Sequence, residues 1–274
     1  MDFSRRQFLT FIGAASLAGC AKTKESLGAI SRVDVIPGGG GKFTFAAIND
    51  LHILDGRSAS IVNRAADSIN ANKDVAFTAV LGDLATDGEM VELNLAKNSL
   101  DRLVRPHFVI PGNHDVYMKS KDIFGNYKRA FDEPSWHTGD KGWLFIGLNS
   151  CDATKSDVSI RDEEMEWLQK VAKKANKSRP IAILSHHPFN PNSKAYRVQN
   201  ADEVLGIFAE HNVKLVAAGH YHGNQEEERE GILFTTTACC STTRDNHDGT
   251  AEKGYRLFHV DGETITTEFV VVQA

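Results

Sequence analysis

The stretch HFVIPGNHDVY, residues 107–117, is where the reading of this chain turns. Phe108, Val109 and Ile110 make a short apolar run that breaks at Pro111-Gly112 and delivers Asn113, His114 and Asp115. Pro-Gly followed by Asn is ordinary turn chemistry, so the segment alone says only strand and turn. Its meaning depends on how the other strands end.

Working outward, the pattern alternates between strand and helix. Strands are expected over 43–49, 76–81, 108–110, 143–148, 181–185, 214–218, 232–237, 255–260 and 264–271. Helices are expected over 60–72, 90–101, 123–131, 162–175 and 201–211, and in the fourth Met165, Leu168, Val171 and Ala172 form an apolar stripe at helical spacing. Such alternation argues for an α/β fold with a largely parallel sheet covered by helices. The last three strands, joined by short turns, read as antiparallel.

Five of these strands finish alike. FTFAAINDLH closes on Asp50 and His52, and FTAVLGD on Gly82-Asp83. HFVIPGNHD closes on Asn113 and His114, IAILSHH on His186-His187, and KLVAAGHYH on Gly219-His220-Tyr221-His222. Singly, each is a turn or a core histidine; five in order are poorly explained that way. Ligand sites of open α/β sheets lie beyond the carboxyl ends of strands, where distant segments converge. A mixture of carboxylate, amide and imidazole donors suits Mn, Fe, Zn or Co, and no thiolate is among the motifs. Seven candidate ligands exceed one ion's needs. They suit two ions about 3.5–4 Å apart sharing a carboxylate, as in in-line displacement at phosphorus.

The order Asp-x-His, Gly-Asp, Gly-Asn-His-Asp, His, Gly-His-x-His resembles the calcineurin-like metallophosphoesterases and covers residues 45–222. DEEMEWLQK, SHHPFN and KGYRLFHV look most like the class III cyclic-nucleotide phosphodiesterase branch. The resemblance implies a sandwich of two mixed sheets flanked by helices, and a hydrolase that attacks phosphoesters with a hydroxide bridging two metals. It implies that Asp50, His52 and His222 hold the first metal, that Asp83 bridges, and that Asn113, His186 and His220 complete the second. His114 would then stand over the leaving-group oxygen as general acid or charge stabiliser, with Asp115 orienting its ring.

Two departures narrow the family. Purple acid phosphatases carry a Tyr where this chain has Thr86, and lack the His that stands here as His52. Protein Ser/Thr phosphatases carry an Arg-containing Gly-Asp block and Gly-Asn-His-Glu, against GDLATDG and Asp115 here. A phosphodiesterase, cyclic nucleotides among its substrates, is the first expectation. A phosphomonoesterase on the same site and a non-catalytic metal- or solute-binding lipoprotein are the alternatives. Weaker substrate candidates are Arg244, in the loop STTRDNHDG with His247, and His187 beside a presumed ligand. Trp136 and His137 read as a surface loop over the site, and Trp167 as helix core.

The partner expected is a small-molecule phosphoester. With 31 basic against 36 acidic residues, the net charge of −5 and the absence of a basic stripe argue against a nucleic-acid surface. The N-terminus differs in kind. Ser4-Arg5-Arg6-Gln7-Phe8-Leu9 resembles a twin-arginine export signal, and Leu17-Ala18-Gly19-Cys20 a lipobox whose Cys20 is lipidated. The expected organisation is a signal peptide over 1–20, a flexible linker over 21–41 and one domain over 42–274. That places the domain on the extracytoplasmic side of a bacterial membrane, periplasmic or at the cell surface, touching the membrane only through its lipid. Of the remaining cysteines, a bridge from Cys151 to Cys239 or Cys240 is left open. No oligomeric state follows from the sequence.

Overall fold

Strand β1 (Lys42–Ile48) shows how the architecture follows from alternation: Phe43, Phe45 and Ala47 turn to one buried face, Ala46 and Ile48 to the other. A strand buried on both faces belongs at the centre of a layered sandwich. The computed structural model, which describes residues 41–193 and 196–273, has that form. The twin-arginine segment, Cys20 and nearly all of the tether lie outside the described residues.

The first sheet joins β1, β2 (Val75–Leu81) and β3 (His107–Ile110) in parallel. β10 (Gly254–Asp261) pairs antiparallel with β1, and β11 (Thr264–Val271) antiparallel with β10. The second sheet has the order β4-β5-β6-β7-β9-β8, from β4 (Trp136–Asp140), β5 (Trp143–Leu148), β6 (Pro180–Ser185), β7 (Asn212–Ala218), β8 (Gln225–Arg229) and β9 (Ile232–Thr236). β5, β6, β7 and β9 are parallel, with β4 and β8 antiparallel at the two edges. Helices α1 (Ala59–Ala71), α2 (Met90–Leu100) and α3 (Gly125–Phe131) cover the first sheet; α4 (Asp162–Lys174) and α5 (Ala201–Ile207) cover the second. Between the sheets Phe45 stacks on Phe77 at 5.0 Å and on Phe258 at 4.7 Å, and meets Phe145 edge-on at 5.6 Å.

Two expectations need correction. β9 is not antiparallel to the last two strands; it lies parallel to β7 in the other sheet, because a crossover rather than a tight turn links it to β10. Trp136 and His137 form no loop over the site but begin and extend edge strand β4. A β-carbon on Gly147 would come within 2.2 Å of the Trp136 ring, so the indole lies flat on a strand that leaves room for it. Its Nε1 donates to the Val109 carbonyl at 2.8 Å, tying one sheet to the other. The acidic run Glu226–Glu230 supplies much of edge strand β8, exposed to solvent, whose charges discourage further pairing. Trp167 packs, half-buried, against the core beneath α4. Cys151, Cys239 and Cys240 are buried and free. Among the described residues no helix is long and apolar enough to cross a membrane.

A buried cation closes the seam between the sheets. Arg256 on β10 is 2% exposed. Its Nε donates to Thr237 Oγ1 and its Nη2 to the Thr236 carbonyl and Asn224 Oδ1, each at 3.1 Å, while Nη1 meets Glu226 and Thr267. Arg256→Met should lower stability by about 2–3 kcal/mol, because buried acceptors lose their donors. Glu226→Gln, at a half-exposed carboxylate, should cost under about 1 kcal/mol. Urea unfolding of the two variants checks the ranking.

Candidate active site

The carboxyl ends of β1, β2 and β3 from one sheet and of β6 and β7 from the other meet at one edge of the sandwich. Main-chain bonds stitch the turns together: Asp50 N donates to Gly82 O at 3.0 Å, His52 N to Asp83 O at 2.9 Å, and Gly219 N to His186 O at 3.1 Å. One link between the sheets at this edge is His220 N, which donates to Asp50 Oδ2 at 2.9 Å. The turns are tight. Asp50, His52, Asp83, His220 and His222 hold φ of 52°, 42°, 53°, 63° and 49°, half of the non-glycine residues with left-handed backbone among those described. Strain of this kind persists only where surrounding structure enforces it, and it gathers at functional sites.

The imidazoles share one design. His186 Nδ1 is 2.8 Å from Leu81 O, His220 Nε2 is 3.0 Å from Ser156 O, and His222 Nδ1 is 3.0 Å from Asp245 O. Each carbonyl takes one ring N–H and fixes the tautomer, turning the other nitrogen's lone pair inward. The inward atoms crowd together. His186 Nε2 lies 3.1 Å from His220 Nδ1, 3.2 Å from Asn113 Oδ1 and 3.4 Å from Asp83 Oδ1. His52 Nε2 lies 3.3 Å from His222 Nε2 and 3.4 Å from Asp83 Oδ2, and His222 Nε2 lies 3.3 Å from Asp50 Oδ1. Asp83 therefore offers one carboxylate oxygen to each half of the cluster.

The chain's own charges sit uneasily here. Burial would raise Asp50, but the His222 and His186 imidazoles hold its carboxyl well below the usual range. Asp83 is lowered in the same way, chiefly by His186 against its burial. Burial opposes protonation of His222 and His186, yet Asp50 lifts the first to about 11 and Asp83 the second to about 9. Burial depresses His52 to about 3 and, with the neighbouring His186, His220 to about 4. Imidazole nitrogens facing one another at 3.1–3.3 Å, with two buried carboxylates behind them, form the donor set a cation accepts in place of protons. Two groupings of donors lie close enough to hold an ion: Asp50, His52, Asp83 and His222 in one, and His186, His187 and His220 in the other.

The structure revises two weaker assignments. His187 is fully buried and cannot touch substrate; its Nδ1 pairs with Ser150 Oγ at 2.8 Å and its Nε2 with Lys155 O at 3.1 Å. Though it lies near His186 and His220, both of its nitrogens are engaged. Asp115 does not orient His114. Its carboxylate faces inward, where Leu84 N and Ala85 N donate to Oδ1 at 2.9 Å and Gly112 N to Oδ2 at 2.8 Å. Burial and the Asp83 charge push Asp115 up to about 7, opposed by those three backbone donors. The His114 ring is held instead by Thr86 O, 2.7 Å from Nδ1, with its centroid 4.7 Å from that of His52. Arg244 sits half-buried beside Asp245, whose carbonyl holds His222, and the Arg244 carbonyl accepts Lys253 Nζ at 2.8 Å.

Asn49 escaped the sequence reading. Its Nδ2 donates to Asp50 Oδ2 at 2.6 Å and to Thr237 O at 2.9 Å, leaving Oδ1 of Asp50 to face His222. Its only signal was a polar residue closing β1 directly before Asp50.

Fold and site together define a phosphoester hydrolase with a candidate metal centre. Residues 43–224 match the model of the calcineurin-like phosphoesterases, and the chain belongs to that family. A probable cyclic nucleotide phosphodiesterase of Synechococcus is 28% identical over 65% of this chain and 73% of its own length. A probable glycerophosphodiester phosphodiesterase of Arcobacter nitrofigilis is 29% identical over 52% of this chain and 54% of its own. Among solved structures, a purple acid phosphatase from yellow lupin seeds superposes with a TM-score of 0.65 at 12% identity, over 86% of this chain and 52% of that one, a likeness of fold. Members of the family use divalent metals, and the buried donor groupings fit that use.

Proposed function

We propose that this chain is a dinuclear metal-dependent phosphodiesterase. The observation that carries the reading is Asp83, one oxygen turned to His186 and the other to His52, between two buried donor groups. Asp50, His52 and His222 would hold one ion, Asn113, His186 and His220 the other, with Asp83 shared. Ions there would supply Lewis acidity at phosphorus and lower the pKa of nearby water. The chain does the positioning: Leu81, Ser156 and Asp245 carbonyls fix the imidazoles, and Asn49 and His220 N hold Asp50. With Thr86 O occupying Nδ1 of His114, that ring presents Nε2 to a leaving-group oxygen, and its cation holds there the proton an alkoxide needs. The similarity to diesterases in sequence supports the diester over the monoester.

The test is turnover of bis(p-nitrophenyl) phosphate against p-nitrophenyl phosphate with Mn(II), using protein from residue 21 onward and its His114→Ala variant. Diester preference is expected; a preference for the monoester would move the function to a phosphatase. His114→Ala should lose about 10²–10³ in kcat on a diester with an alkoxide leaving group and far less with p-nitrophenolate, which departs without a proton. Equal losses on both would remove the acid role.

The twin-arginine and lipobox segments support an exported, lipid-anchored enzyme, loaded with metal before export. Cys20→Ala should abolish palmitate labelling and release the protein from the membrane fraction. Labelling that survives in the variant would overturn the anchor.

A further inference from the structure

Beside the metal-ligating side chains lies an aromatic rim that the hydrolytic chemistry does not require. His247 stacks on His222, with centroids 5.0 Å apart and planes at 29°. Tyr196 stands 5.4 Å from His247 and meets His220 edge-on at 5.8 Å. The two rings come from separate loops, one between β6 and α5 and one between β9 and β10, yet they meet over the two imidazoles of a single turn, 219–222. Neither belongs to the apolar cores. Tyr196 is 38% exposed and His247 is exposed, so their faces are open to a ligand. Tyr196 also holds φ of 61°, a conformation unfavourable to a bulky side chain. Left-handed backbone at an exposed tyrosine gains nothing for the core; it sets the ring where His220 and His247 are.

We propose that Tyr196 and His247 form a stacking subsite for a planar aromatic ester group, the nucleobase of a nucleotide diester being the chemical class that fits. This rests on the phosphodiesterase reading and names the part of the substrate that lies away from phosphorus. An ester whose phosphorus sits at the imidazoles has its substituent within reach of the rim. A heterocyclic base finds two π-faces there; a glycerol group, with neither a flat face nor a positive charge, gains no stacking or cation–π contact from them. Stacking tolerates any base, because each has a flat face. The subsite therefore selects aromatic esters over aliphatic ones without reading one base against another.

The experiment measures kcat/KM for 3′,5′-cyclic AMP and for glycerophosphoglycerol on wild type, Tyr196→Ala, Tyr196→Phe and His247→Ala, all loaded with Mn(II). The ratio of the two specificities should fall about tenfold in each alanine variant, the size of one lost base stack, through KM rather than kcat. Tyr196→Phe, which keeps the π-face, should keep the ratio. A ratio unchanged in both alanine variants overturns the proposal, as does a fall equal in Phe and Ala. Binding of adenosine 5′-monophosphate and of glycerol 3-phosphate, measured on the same proteins, separates this from the parent reading. Should wild type turn over no diester, the phosphodiesterase reading fails, and the stacking subsite stands or falls on whether the alanine variants lose nucleotide binding selectively.

Discussion

Asp83→Asn should leave a folded protein that has lost about 10³-fold or more of its turnover, together with part of its metal. The reason is position. Asp83 Oδ1 accepts His114 N at 2.8 Å and lies 3.4 Å from His186 Nε2; Oδ2 lies 3.4 Å from His52 Nε2. One carboxylate serves both donor groups, so its neutralisation weakens both at once, and an amide turns an N–H toward one of them. Asp50→Asn, by contrast, should injure one half, since Asp50 faces His222. Metal content per chain and steady-state turnover are measured together. An Asp83→Asn protein that retains two ions and a tenth of its activity would remove Asp83 from the shared position.

The second large effect is on stability. Gly82 holds φ of 85°, and a β-carbon there would lie 2.5 Å from Gly112 N, 2.8 Å from Gly112 Cα and 2.8 Å from His186 Nδ1. Two of those neighbours are backbone and the third is a pinned imidazole, so none can yield cheaply. Gly82→Ala should cost about 2–5 kcal/mol, from left-handed strain of about 1–2 and overpacking of about 1–3. Gly56→Ala is the comparison: nothing stands within 4 Å of a β-carbon there. Urea unfolding of both in metal-free buffer reads stability apart from metal binding. A Gly82→Ala protein as stable as wild type would mean that β2 and β3 can separate at their ends.

Much of this was legible in the sequence, for physical reasons. Strands buried on both faces are continuous apolar runs, so β1, β2, β5, β6 and β7 announced themselves. Their polar ends stood out because a carboxylate or imidazole directly after such a run has no packing role. The edge strands did not announce themselves. β4 reads WHTGD and β8 reads QEEER, and neither alternates, since an edge exposed to water needs no apolar face. Nor could the pairing of β9 with β7 be read, because register across a crossover depends on the sheet already formed. In the site, residue types were visible and partners were not. Asp115 follows His114 directly and looks like its partner, but the turn sends its carboxylate to three amides. His187 follows His186, and strand alternation carries its ring away from the centre toward Ser150 and Lys155.

The groups that aim the imidazoles are the carbonyls of Leu81, Thr86, Ser156 and Asp245. None is a side chain, so no single substitution deletes any of them. Positions 81, 86, 156 and 245 can drift in identity while the orientation they impose is inherited with the path of the main chain. A lineage could exchange the side chains at these four positions many times over and, so long as the main chain kept its path, still pass on a correctly aimed centre.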